Sequence, residues 1–194
     1  MSHKQQRDFC TAVKANRPSH FTNVTVLDCG SLDINGSNRY LFDGGFYLGL
    51  DVGHGKNVDI VCPMHEFDGR PEMFDTVIST ECFEHDLYWK QSVWNIIRML
   101  KPGGMFIFTC AAPGRKEHGT LRSEPDAAPL LTARGPLWAS YYQNLDKEAF
   151  GEIFAINEIF SEYEWGGDDE VKDLYFWGIK RNDVHVNSIY LKGG

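Results

Sequence analysis

Apolar and β-branched residues gather into short runs, separated by polar turns that carry glycine. The first run, Val24 to Cys29, is followed by Gly30 and reads as a buried strand. The second, Phe46 to Asp51, ends in an acid and meets Gly53 and Gly55. Val58 to Cys62 is the third and stops at Pro63; Phe74 to Thr80 is the fourth. The period then changes. Trp89, Val93, Ile96, Ile97 and Leu100 recur at spacings of three and four, the stripe of an amphipathic helix that Pro102-Gly103-Gly104 terminates. Met105 to Cys110 is the fifth strand. Strands that alternate with helices or loops imply a parallel sheet wrapped by helices.

The flanks are less regular. Residues 1–20 read as a short polar helix or a loose arm, and the polar start from Met1 to Asp8 is no signal peptide. Residues 111–145, rich in Pro, Gly, Ala and charge, form an irregular excursion of a length that usually serves function. Asp146 to Phe150 has the start of a helix, and the stretch from Ile153 to Tyr163 follows it. Leu174 to Arg181 reads as a strand, set off by a solvated acidic turn from Gly166 to Glu170. A length of 194 residues fits a single domain over 1–194, with 1–20 as an arm and 111–145 as a substrate-side insertion.

Composition narrows the partners. The hydrophobic fraction of 42% supports a folded globule, and there is no apolar stretch long enough for a transmembrane helix. A net charge of −8 repels phosphate backbones, so no nucleic-acid partner is expected. The five cysteines form no CxxC pair, which argues for reduced thiols and a cytoplasmic setting.

In an open α/β sheet, ligands bind at the carboxyl ends of the strands. There the sequence places Asp28, Gly30 and Ser31, then Asp51, then Pro63 and Met64, then Thr80, Glu81 and Cys82. Asp51 stands about 20 residues beyond the first glycine turn, a spacing that suits a carboxylate on ribose hydroxyls. The turn itself, Asp28-Cys29-Gly30-Ser31-Leu32-Asp33-Ile34-Asn35-Gly36, lacks G-x-G-x-x-G. An acid at Asp28 suits an ammonium group better than a pyrophosphate, which argues against a nucleotide-dependent oxidoreductase.

The ordered set Val26-Leu27-Asp28-Cys29-Gly30-Ser31, Leu50-Asp51, Phe74-Asp75 through Glu84-His85, and Leu100-Lys101-Pro102-Gly103-Gly104 resembles the class I methyltransferases that use S-adenosylmethionine (SAM). The closest likeness is to the small-molecule group with an "FD…EH…LKPGG" signature, over roughly residues 22–112. The resemblance implies a Rossmann-like, mostly parallel seven-stranded sheet with helices on both faces and the last strand antiparallel. It implies SAM as cofactor and S-adenosylhomocysteine as product. Asp28, Gly30, Ser31 and Leu32 would line the methionine moiety, Asp51 the ribose, Val52 and Met64 the adenine, and Thr80 and Glu81 would close the site. The later glycines of the first loop are absent, and Pro63 stands where an acid often meets the adenine amine.

Methyl transfer asks the protein to align nucleophile, methyl and sulfur and to exclude water; a hydroxyl acceptor also needs a base. His85 and His118 are the catalytic candidates, set against ordinary loop histidines. Trp138, Tyr141 and Tyr142 are candidates for a lid over the acceptor, and Arg115 and Arg134 for holding a substrate carboxylate or phosphate. Glu81 and Glu84 are candidates to hold a cationic amine, with Glu84 read first as a helix-dipole residue. Cys29, Cys62, Cys82 and Cys110 match no metal-ligand spacing, so no metal is expected. Two functions remain: methyl transfer to a small-molecule acceptor such as a sugar, or SAM binding without turnover in a partner or regulator.

Overall fold

In a computed structural model of the chain, residues 3–185 are described; Met1 and Ser2, part of the polar start read above, lie outside them. The helices are α1 (Lys4–Asn16), α2 (Trp89–Met99), α3 (Pro129–Ala133), α4 (Pro136–Ala139), α5 (Lys147–Gly151) and α6 (Ile156–Ile159). The strands are β1 (Thr25–Cys29), β2 (Phe46–Asp51), β3 (Ile60–Val61), β4 (Phe74–Thr80), β5 (Leu100–Ala111), β6 (Phe160–Asp168) and β7 (Asp173–Lys180). They make one seven-stranded sheet in the order β3-β2-β1-β4-β5-β7-β6. The pairs among β1 to β5 are parallel, and β7 runs antiparallel to both β5 and β6. The fold class read from the sequence is borne out.

Period-two alternation sends each strand's residues to opposite faces. Val26, Ile78, Met105 and Ile107 join Cys10 and Val13 of α1 with Phe21 and Leu41 in one apolar cluster. Leu27, Val77, Phe106 and Phe108 join Val93, Ile96 and Ile97 of α2 and Phe150 of α5 in the other. Helices thus cover both faces. The N-terminal arm is a true helix: Gln6, Cys10 and Val13 are its buried side, and His3 stands at its start.

Several boundaries differ from expectation; β3, for one, keeps only Ile60 and Val61 of the run from Val58 to Cys62. Helix α2 stops at Met99, before Pro102, because Leu100 is already extended and pairs with Phe74 in the sheet. The residues from Lys101 to Gly104 are absorbed as an irregularity in β5, with Gly103 at φ +73°. The freed carbonyls of Ile97 and Leu100 accept from the buried Lys180 ammonium at 2.9 and 2.7 Å, an anchor between α2 and β7. Strand β6 covers part of the stretch to which no strand was assigned; residues 161–164 are all exposed, the solvated pattern of an edge strand. No helix among the described residues is long and apolar enough to cross a membrane.

Candidate active site

A cleft opens at the carboxyl ends of β1, β2 and β4, and all nine residues expected to hold the cofactor line it: Asp28, Gly30, Ser31, Leu32, Asp51, Val52, Met64, Thr80 and Glu81. Gly30 turns the chain at φ +78°, and a Cβ there would lie 2.6 Å from the Cys82 sulfur, so the two loops approach closely enough to require glycine. Asp51 closes β2. Its two oxygens accept from the amides of Leu32, at 2.9 Å, and Val52, at 2.7 Å, which ties the second strand to the first loop.

Asp28 is 1% exposed. It accepts from Tyr47 Oη and from Asn38 Nδ2, and Asn38 also donates to Thr80 Oγ1 at 3.1 Å. Burial raises the Asp28 pKa to about 6 in spite of these bonds, which leaves it mostly ionised at neutral pH. Asn38 and Tyr47 were missed from the sequence. Asn38 sits beyond the lengthened glycine loop, and Tyr47 mid-strand on an apolar pattern; neither position carries a local signal.

The excursion does more for this cleft than the sequence implied. Residues 127–131, at and before α3, and Trp138 of α4 form its outer wall. The Arg134 guanidinium stacks over the Trp138 ring at 4.8 Å and reaches the Val52 carbonyl, which places both beside the cleft. Arg115 is likewise not a free anion binder: its Nη1 donates to Asp173 at 2.8 Å and to the Val171 carbonyl at 2.6 Å. Tyr141 donates to Gln143 at the surface.

Beyond Glu81 lies a second group. His85 borders the cleft, and behind it His118 and Tyr142 pack ring to ring, with centroids 5.0 to 5.4 Å apart. His118 Nδ1 faces the Lys116 carbonyl at 3.0 Å; a carbonyl only accepts, so Nδ1 carries the proton and Nε2 the lone pair. Burial lowers both histidine pKa values, that of His85 to about 3 with help from His118, so both rings are neutral. Glu84 is fully buried at the strand-to-helix turn, and burial followed by the charge of Glu81 raises its pKa to about 8. It sits in the first turn of a short 3-10 helix, Phe83–His85, and is buried there rather than at a solvated helix end.

Glu81 has its own partners. Thr109 Oγ1 donates to it at 2.8 Å, and His3 Nε2 lies 3.6 Å away. His3 is 2.7 Å from Asp173. Burial works against a charge on His3, but the adjacent Asp173 and Glu81 carboxylates outweigh it and raise its pKa to about 9. The start of α1 therefore sits over this end of the site, a contact between distant segments that no motif announces.

Taken together, the sheet order and a cleft at the strand ends define the class I methyltransferase architecture. Residues 49–108 match the family described as a methyltransferase domain. The fold is similar to the 1,6-didemethyltoxoflavin N1-methyltransferase of Burkholderia thailandensis, solved with that substrate and S-adenosylhomocysteine (15% identity over 91% of this chain and 78% of that one, TM-score 0.60). It is similar to phosphoethanolamine N-methyltransferase 2 of Haemonchus contortus (18% identity, 90% of this chain, 52% of that one, TM-score 0.60). It is also similar to YcgJ of Bacillus subtilis (14% identity, 90% and 99%, TM-score 0.58). No curated protein matches. The family match and the shared fold bear out the resemblance to class I methyltransferases read from the sequence.

Proposed function

We propose that the chain binds SAM in this cleft and transfers the methyl group to a small-molecule acceptor, releasing S-adenosylhomocysteine. The observation that supports it is the convergence in one hollow of an ionised Asp28, the close-approach turn at Gly30 and an amide-anchored Asp51. The donor set fits the cofactor. Each Asp51 oxygen accepts one amide and keeps a lone pair for a ribose hydroxyl. Asp28 offers negative charge to the amino-acid ammonium, and Met64 with Val52 an apolar wall to the adenine. The sulfonium supplies an already activated methyl group. The protein's part is alignment and dryness, to which residues 127–131 and Trp138 contribute as the cleft's cover.

The acceptor side is the Glu81, His85, His118 end, with Tyr142 at its edge. The net charge of −8 disfavours a nucleic-acid acceptor, and the unpaired thiols suit the cytoplasm. Calorimetric titration with SAM and S-adenosylhomocysteine tests the reading. Micromolar binding of both supports it; a folded protein that gives no heat with either refutes it. Binding without turnover across a broad acceptor screen would favour a regulator instead.

A further inference from the structure

Three buried side chains on the acceptor side keep polar atoms with no hydrogen-bond partner among the described residues. These atoms are both carboxylate oxygens of Glu84, Nδ1 of His85 and Nε2 of His118. Their exposures are 0%, 6% and 7%. Orphaned buried polar atoms are costly and rare, and four of them in one place point to a bound partner. The three residues each turn one ligand atom inward, and these atoms all lie within 4.8 Å of one another.

We propose that Glu84, His85 and His118 form a binding site for one divalent transition-metal ion, of the two-histidine, one-carboxylate type. Ligands held at about 2.1 Å from a common ion stand about 3.4 Å apart in a tetrahedron, so side-chain rotation alone closes the triad. Imidazole nitrogens select zinc- or cobalt-like ions over magnesium or calcium, which prefer oxygen shells. The surroundings are built for it. The Lys116 carbonyl fixes the His118 tautomer that leaves Nε2 bare, the usual outer-shell support of a histidine ligand. Gly119, at φ +65°, lets the His118 loop close on His85: a Cβ there would lie 2.7 Å from His85 Cε1 and 2.8 Å from Ala128 Cβ. Sequence spacing concealed the set, since two ligands are adjacent and the third comes from the excursion.

The ion would stand at the cleft's inner edge, because His85 borders the cleft. Three protein ligands leave a coordination position open. Resting on the methyl-transfer reading, this makes the acceptor a hydroxyl compound. Its oxygen binds the ion and loses its proton to solvent; the oxygen lone pair then forms the bond to the methyl carbon as the carbon–sulfur pair leaves with sulfur.

The test uses the full chain, stripped with chelator and titrated with Co²⁺ by visible absorption and with Zn²⁺ by equilibrium dialysis. SAM is titrated into the same preparations. The expected result is one ion per chain at micromolar affinity or tighter, weakened at least tenfold in His118→Ala and Glu84→Gln and unchanged in His20→Ala. A folded wild-type chain that binds no stoichiometric Zn²⁺ or Co²⁺ overturns the site even if a variant fails to fold, as does equal affinity in His118→Ala. SAM binding without metal binding sinks the metal site alone; metal binding without SAM binding sinks the cofactor reading alone.

Discussion

The two halves of the hollow handle their buried polar groups in opposite ways. In the cofactor half, Asp28 is held by Tyr47 and Asn38, Asp51 by two amides, and Ser31 Oγ donates to the Asn57 carbonyl. On the acceptor side, Glu84 and the facing nitrogens of His85 and His118 are left bare. Polar groups that satisfy one another hold a shape before any ligand arrives, whereas bare groups store unfavourable energy that only a ligand relieves. The cleft is therefore preorganised by its own residues, and the acceptor end keeps polar atoms that no described residue bonds.

Four changes break or sharpen that contrast. Gly30→Ala strikes the tight half hardest: a left-handed alanine that collides with Cys82 is expected to cost about 2–4 kcal/mol, read as a lowered melting temperature. An unchanged melting temperature would mean the two loops are not in close contact. Asp51→Ala should weaken SAM binding about 10- to 100-fold by calorimetry, the worth of charge-assisted hydrogen bonds of about 1.5–3 kcal/mol. Retained affinity would move the ribose contact elsewhere.

Glu84→Gln, in chelator-treated protein, should leave stability unchanged within about 1 kcal/mol or raise it, since the change removes a bare acid rather than a bonded one. A large loss in urea unfolding would show a partner for Glu84 and erase the contrast. The smallest effect is a pH dependence. His3 is raised to about 9 in the folded state from an unfolded 6.5, so its contribution is complete below pH 6.5 and is lost as pH rises toward 9. Lys180, which burial lowers to about 8, acts with the opposite sign between about pH 8 and 10.5. Between pH 6.5 and 8, His3→Gln should therefore flatten the decline in stability, and an equal slope in the variant would show that His3 is not held by Asp173.

The cofactor half was legible in the sequence because its residues follow their strands directly. Asp28, Asp51 and Thr80 each sit at or beside the end of an apolar run, and strand direction alone brings those ends together. The boundaries of β2 and β4 were read residue for residue. The acceptor half draws on His3, the turn after β4, the start of the excursion and the first residue of β7. Their meeting depends on tertiary packing, which no local pattern carries. Strand β6 escaped for a similar reason: residues 161–164 are all exposed, and only Phe160 and Trp165 join the core cluster, so the run lacks a clear alternation and pairing with β7 makes it a strand.

The pairing of His3 with Asp173 also orders events on the ribosome. Helix α1 is made before the sheet, and the acid that holds it comes more than 150 residues later. Every residue of the cofactor cleft has been synthesised once Trp138 is out, yet Asp173 has not been made and β5 still lacks its antiparallel neighbour. Strand β7 carries both the partner of β5 and the carboxylate beside His3, so the same element completes the sheet and holds the start of α1.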